Sequence, residues 1–173
     1  MESNDGIVNR VAKSSLISID LEDYWDKTGY ILYDIKDNLF EGLILREKDF
    51  REFIKSHAWD QYKGKHVGIY CSSDAIIPVW AYMLLMSKLT PIADMVIIGG
   101  KEALERAIID RAMSKIDFTQ FHDAKVVIKG CSDLINPAYF FTEFTKKIMP
   151  FAGSIMYGEP CSTVPIYKKP KGN

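Results

Sequence analysis

An internal repeat is the feature that most constrains the fold, because a segment present twice usually forms the same supersecondary unit twice. Residues 71–99 recur as residues 131–158. An offset of 59 residues aligns seven identical pairs: Asp74 with Asp133, Ile76 with Ile135, Pro78 with Pro137, Lys88 with Lys147, Pro91 with Pro150, Ala93 with Ala152 and Gly99 with Gly158. An offset of 60 aligns four earlier pairs, those of Lys65, Val67, Cys71 and Ser72 with Lys125, Val127, Cys131 and Ser132. We interpret the repeat as a duplication.

Strand and helix patterns alternate along both copies, which is typical of an α/β fold. Strands are predicted at 16–21, 30–35, 65–71, 95–98, 126–130 and 154–157. Helices are predicted at 38–57, 78–89, 101–115 and 137–148. Nearly continuous apolar strands favour a parallel sheet that is covered on both faces. The predicted fold is a layered α/β/α domain with a mostly parallel sheet, extended by an N-terminal β-hairpin from the first two strands.

The length of 173 residues fits a single domain over residues 1–173. The expected organisation is a flexible N-terminus at 1–14, a strand pair at 15–37, the first repeat at 38–99, the second repeat at 100–158, and a C-terminal loop and tail at 159–173.

Composition excludes several classes of function. The formal net charge is −1, so no nucleic acid partner is expected. Residues 1–10 are polar and lack the apolar core of a signal peptide. The longest apolar run, residues 75–86, is shorter than the ~20 residues of a spanning helix, so no membrane partner is expected. Three cysteines, an odd number, favour the cytoplasm. The sequence identifies no cofactor.

The two predicted repeat helices differ on their outer sides. The helix at 137–148 has a polar side that includes Thr142, Glu143 and Lys146, whereas residues 79–86, from Val79 to Met86, are apolar all round. Such a helix needs cover on every side. It is either the central helix of the domain or the contact surface of a homodimer.

Chemistry-bearing residues cluster where the predicted strands end, the edge at which open α/β sheets bind ligands. Each cysteine precedes a serine there, and a thiol near a helix N-terminus favours the thiolate. The predicted catalytic residues are Cys161 and Cys131, and the candidate metal ligands are Cys71, Cys131 and Cys161. The predicted small-molecule ligand site comprises Ser72, Asp74, Ser132, Asp133, Glu159, Ser162 and Thr163. For Cys71 and Cys131 the favoured alternative is inert packing as small apolar residues.

Histidines and acidic residues give weaker signals. His57, His66 and His122 have no histidine partner across the repeat, and each is expected at the surface or at a helix end. Residues 20–49 hold nine acidic residues, Asp26 among them, against four basic ones. A site for a cation or a basic partner and a solvated acidic face both fit this excess, and the solvated face is favoured because no metal-loop spacing is present.

Five motifs together resemble the domain-of-unknown-function family 2480. They are Asp34-Ile35-Lys36-Asp37, Leu39-Phe40-Glu41-Gly42-Leu43, Trp80-Ala81-Tyr82-Met83-Leu84, Val127-Ile128-Lys129-Gly130-Cys131-Ser132 and Gly158-Glu159-Pro160-Cys161-Ser162-Thr163-Val164-Pro165. The resemblance covers most of the chain after residue 6 and implies a small bacterial protein. It implies no activity.

Three functions follow as hypotheses. The first is a cytoplasmic binding or regulatory module that forms a homodimer. The second is a thiol-dependent or metal-dependent enzyme with its site at the carboxyl ends of the strands. The third is a carrier of a small molecule at the same edge.

Overall fold

The computed structural model describes residues 16–130 and 133–170. These residues contain seven strands and four α-helices: β1 (Leu16–Asp20), β2 (Tyr30–Asp34), α1 (Glu47–Ser56), β3 (His66–Tyr70), α2 (Val79–Leu89), β4 (Met95–Ile98), α3 (Lys101–Ser114), β5 (Lys125–Lys129), α4 (Pro137–Ile148), β6 (Ser154–Glu159) and β7 (Ser162–Lys168). None of these helices combines the length and apolar character that crossing a membrane requires.

The chain divides into two compact units. One is formed by a single stretch, Asp26–Asp110, and is called here the continuous unit. The other, the split unit, combines Met1–Trp25 with Arg111–Asn173. Both differ from the expected repeat boundaries, and the assignment of residues 1–173 to one domain stays a prediction.

The continuous unit contains a parallel sheet in the order β2-β3-β4. Its central strand β3 is buried over its first four residues, as the apolar run in the sequence predicts. Helix α2 buries one face, formed by Ala81, Leu85 and Leu89 at every fourth position. Helix α1 adds Phe50 and Ile54 to the same core.

The split unit repeats this plan. Its sheet has the order β1-β5-β6-β7, in which the first three strands are parallel. Helix α4 buries Phe140, Phe144 and Ile148 at the positions that α2 uses. Strand β7 is an addition, since it pairs antiparallel with the outer edge of β6.

The repeated unit in the structure is longer than the segments that align in the sequence, because it also includes the strand that precedes them. β1 and β2 each end in an aspartate, Asp20 and Asp34, whose carboxylate accepts the N–H two residues later and starts a 3₁₀ turn. The next residue, Leu21 or Ile35, is fully buried. Each copy therefore comprises a leading strand, a capped turn and the β-α-β segment seen in the sequence.

The predicted α/β class and the mostly parallel strands are confirmed. The sheet is divided into two, however, and the expected N-terminal hairpin requires a correction. β1 pairs with β5 and β2 pairs with β3, both parallel. Each leading strand covers the central strand of its own copy, and this pairing buries Ile19 and Tyr33. The antiparallel hairpin among the described residues is β6–β7.

Two further element predictions were wrong. The helix expected from residue 38 begins at Glu47, because Glu41 and Gly42 both have positive φ and form a turn that a helix cannot contain. The expected C-terminal loop contains β7, although Pro165 lies within it. Proline is tolerated in β7 because this strand is at the edge of its sheet.

Candidate functional site

The carboxyl edge of the continuous-unit sheet brings together Asp34 and Ser72, as parallel strands predict. The backbone N–H of Ser72 donates to Asp34 Oδ1 at 3.0 Å, and the N–H of Lys36 donates to the same oxygen at 3.0 Å. Asp34 thus joins the turn after β2 to the turn after β3. Ser72 is a predicted ligand-binding residue, and its amide is used within the protein.

Hydrogen bonding sets the charge state of Asp34. Burial acts to raise the pKa of this carboxyl, but the Ser72 hydroxyl and amide, the Lys36 amide and the Tyr70 hydroxyl outweigh it and lower the pKa. The Asp34 carboxylate in turn raises the pKa of the Tyr70 hydroxyl. The edge therefore carries one stable negative charge with hydroxyl donors beside it.

The other predicted residues of this edge have separate positions. The Cys71 thiol donates to the carbonyl oxygen of Ser73 at 3.5 Å, and Ser73 Oγ donates to the carbonyl oxygen of Gly42 at 2.8 Å. The half-buried Cys71 thiol therefore contacts the backbone of the following loop. This position agrees with the alternative in which Cys71 is an inert packing residue. Asp74 is exposed.

In the split unit, Lys129 occupies the register position of Tyr70 and forms ion pairs. Its Nζ lies 3.5 Å from Asp20 Oδ2 and 3.8 Å from Glu159 Oε2. Predicted ligand residue Glu159 thus neutralises a lysine at the carboxyl edge. Cys131 and Ser132 lie outside the described residues, and the adjacent Asp133 is exposed.

The third cysteine lies in the turn of the β6–β7 hairpin. Cys161 is exposed between Glu159 and Ser162, which pair with each other. Thr163 Oγ1 donates to Met156 Sδ at 3.7 Å. Of the candidate metal ligands, Cys71 and Cys161 belong to no metal-type cluster among the described residues. A catalytic role for Cys161 with Cys131 and a small-molecule site at this edge stay predictions.

An apolar groove of about 540 Å³ runs along the outside of α2 in the continuous unit. Its walls are formed by Val79, Tyr82, Met83, Met86, Ser87, Thr90, Pro91 and Ile98. Val79 is 73% exposed and Met83 is 66% exposed, so the outer side of α2 is the apolar face that the sequence analysis indicated. None of the groove residues is charged.

The split unit has a groove of about 620 Å³ at the repeat-equivalent position. Six of its residues are repeat partners of groove residues in the continuous unit, namely Phe141, Thr142, Thr145, Lys146, Met149 and Tyr157. Ile166 of β7 adds a wall that the continuous unit does not have among its described residues. The groove is thus a feature of the duplicated fold, and its outer residues are polar in one copy and apolar in the other.

The structure corrects the expectation for one histidine. His66 is fully buried at the first position of β3, and its ring lies between the carboxylates of Asp26 and Asp94. The available signal was its repeat partner, Val126, which indicates a core position. His57 follows the end of α1 and His122 is exposed, as expected.

Comparisons with known proteins identify a family but no characterised relative. No curated protein and no solved structure gives a significant match to the chain. A family model described as Protein of unknown function (DUF2480) matches residues 5–169. This match spans nearly the whole chain, including both grooves and both strand-end edges. The chain therefore belongs to the DUF2480 family.

Proposed function

We propose that the protein is a cytoplasmic binding or regulatory module that acts as a homodimer, in which two copies associate through the groove of the continuous unit. The observation that carries the proposal is the exposed apolar side of α2 next to the open edge of β4. Val79, Met83 and Ile98 are each more than half exposed there. An apolar patch of this kind marks an interaction surface.

Comparison of the two copies suggests that a strand of the second molecule pairs with the outer edge of β4. In the split unit, β7 pairs with the outer edge of β6 and contributes Ile166 to the groove. Among the described residues, no strand pairs with the outer edge of β4. An open edge is a template for pairing with another chain. A strand added there takes the place that β7 has in the split unit.

The absence of charged residues in the groove of the continuous unit favours a second copy of the chain as its binding partner. A two-fold interface brings the same patch of both copies together, so a charged side chain near the axis meets its own equivalent. The groove of the continuous unit contains no charged residue, whereas its counterpart contains Lys146. Methionine and tyrosine, both present in the groove, are enriched in interfaces. Antiparallel pairing of β4 with β4 of the second copy satisfies the same symmetry.

The oligomeric state tests the proposal. We expect size-exclusion chromatography with light scattering to give a dimer mass for the wild type and a monomer mass for Met83→Glu, because the substitution places two carboxylates in the interface. Thr142→Glu is the matched control, since Thr142 is the repeat partner of Met83. It is expected to leave the dimer intact. A wild-type monomer at micromolar concentration, or a Met83→Glu dimer, contradicts the proposal.

A further inference from the structure

Buried His66 in the continuous unit lies between two carboxylates at the amino edge of the sheet. Its Nδ1 is 3.1 Å from Asp94 Oδ2 and its Nε2 is 3.3 Å from Asp26 Oδ2. The imidazole is 0% exposed, and the side chains of Asp26 and Asp94 are 28% and 43% exposed. The cluster is thus closed on the histidine side and open to solvent through its carboxylates.

The arrangement requires a cation between the imidazole and a carboxylate. A neutral imidazole carries a proton on one ring nitrogen, and the other nitrogen presents a lone pair. Because both nitrogens of His66 have a carboxylate oxygen within 3.3 Å, a neutral ring leaves one unprotonated nitrogen beside a carboxylate oxygen, and the two repel. Either a second proton on the ring or a metal ion relieves this repulsion.

Hydrogen-bond geometry favours the metal ion over the proton. A proton on a ring nitrogen makes a bond that is close to linear. Neither Nδ1 nor Nε2 of His66 has a hydrogen-bond partner among the described residues, although both oxygens are near enough. The oxygens therefore lie off the N–H directions. A single ion binds one ring nitrogen. Two ligand atoms bound to it at about 2.1 Å are roughly 2.9–3.4 Å apart, and each observed nitrogen–oxygen separation lies in that range.

We propose that His66, Asp26 and Asp94 form a binding site for a divalent transition-metal ion of the Zn²⁺ class. One ligand atom from each residue lies within 4.8 Å of the other two. Imidazole nitrogen suits transition metals better than Mg²⁺ or Ca²⁺. Three protein ligands leave a position for water or for a substrate atom, and the solvent-exposed carboxylates indicate where it lies.

The backbone holds all three ligands in place. The N–H of Thr28 donates to Asp26 Oδ1 at 2.9 Å, which directs the other oxygen toward His66. The N–H of Asp94 donates to the carbonyl oxygen of Lys65 at 2.9 Å, and the N–H of His66 donates to that of Gly29 at 3.2 Å. His66 is the first residue of β3, Asp94 immediately precedes β4 and Asp26 lies in the loop before β2, so these hydrogen bonds fix the loop ligands to the start of the sheet.

The other repeat copy argues against a purely structural role. In the strand register, Lys125 at the start of β5 takes the place of His66, and Gly153 takes the place of Asp94. A side chain at Gly153 would approach the carbonyl oxygen of Asp123 to 2.7 Å, so no carboxylate fits there. The split unit thus starts this strand with an exposed lysine. The polar cluster in the other copy is not needed to form the sheet.

Metal binding by the full-length protein tests the proposal. After treatment with a chelator, we expect the wild type to bind one Zn²⁺ per chain in calorimetry, with little competition from a large excess of Mg²⁺. Asp26→Asn and Asp94→Asn are each expected to weaken binding at least about tenfold. Asp74→Asn, at the carboxyl edge of the same unit, is the control and is expected to bind like the wild type.

A second variant and a second metal keep the test decisive. His66→Val removes the imidazole and places a β-branched apolar side chain at a buried strand position, so the variant is expected to fold but to bind no metal. Co²⁺ reports the ligand type, and the spectrum of the wild type is expected to lack a thiolate-to-cobalt band. Absence of stoichiometric binding, binding by His66→Val, or a thiolate band would each overturn the proposal. None of these outcomes depends on the homodimer.

Discussion

Tyr157 and Ile98 occupy equivalent positions in the two copies of the repeat, but only Tyr157 lies in a strand that is paired on both sides. Tyr157 is in register with Ile128 of β5 and with Val164 of β7. Ile98 is in register with Ile69 of β3, and β4 is the edge strand of its sheet. The two copies therefore differ at the outer backbone edge of their third strand.

Hydrogen exchange of β4 is expected to depend on protein concentration. In the proposed homodimer the outward amides of Met95–Ile98 donate to the second copy, so they exchange slowly in concentrated protein and fast after dilution. Mass spectrometry of the corresponding peptide measures this difference. The peptide of Ser154–Glu159 is the control, because its partner β7 belongs to the same chain. Concentration-independent exchange of β4 would contradict the expected pairing.

Removing the Asp34 carboxylate is expected to destabilise the continuous unit. Asp34→Ala leaves the N–H groups of Lys36 and Ser72 without their acceptor, at a cost of about 1–3 kcal/mol in the free energy of unfolding. Asp37→Asn, at an exposed position in the same turn, is the control and is expected to change it by less than about 0.5 kcal/mol. Urea unfolding at neutral pH measures both.

The contribution of Asp34 should disappear in acid. Its pKa in the folded protein is lower than the ordinary value near 3.9, so the stabilisation is complete above that value. It is lost as the pH falls through the folded pKa and the carboxylate becomes protonated. The difference between the wild type and Asp34→Ala should therefore shrink below about pH 4. A difference that is constant down to the acid transition would show that the charge is irrelevant.

His57 is expected to make the protein less stable in mild acid. Burial lowers the pKa of this imidazole, whose Nε2 lies 3.0 Å from the Tyr62 hydroxyl. The unfolded chain therefore binds a proton first as the pH falls below about 6.5, and the free energy of unfolding decreases. The loss should be less than about 1 kcal/mol because the ring is partly exposed. Unfolding of the wild type and His57→Gln at several pH values measures it. Equal pH dependence would contradict the expectation.

A side chain at Gly68, in the centre of β3, is expected to destabilise the protein. A β-carbon at this position would lie 2.8 Å from the carbonyl oxygen of Gly99 and 3.0 Å from Leu32 Cδ2. Gly68→Ala should therefore lower the free energy of unfolding by about 1–3 kcal/mol. Gly100→Ala is the control, since a β-carbon there meets nothing within 4 Å. Thermal unfolding compares the two variants, and equal midpoints would contradict the close packing.

Elements with local signals could be predicted from the sequence. β4 has the predicted bounds 95–98 because it is short, apolar and followed by two glycines. α4 has its predicted bounds because Pro137 and Pro150 delimit it. The pairing of β1 with β5 could not be predicted, since strand order depends on contacts between segments that are far apart in the chain. Pro160 and Pro165 concealed β7, because proline usually interrupts strands.

The candidate sites divide in the same way. Ser72 was expected at the carboxyl edge, where it lies, but its contact with Asp34 was not predicted because β2 was expected to pair with β1. The His66 cluster lies at the opposite edge and joins residues from three segments. Asp26 and Asp94 belong to loops, and neither hydrophobic periodicity nor a sequence motif distinguishes them from other acidic residues. The expected position of His66 was the surface or a helix end, and the alignment of His66 with Val126 was a signal for burial that this expectation did not use.

The order of segments along the chain has a consequence for synthesis. The continuous unit is complete once residue 110 has left the ribosome, and all three of its strands are then present. β1 is made earlier, but its partner β5 follows the whole continuous unit. β1 therefore has no partner strand while the continuous unit is being synthesised, and it can join its sheet only after β5 has emerged.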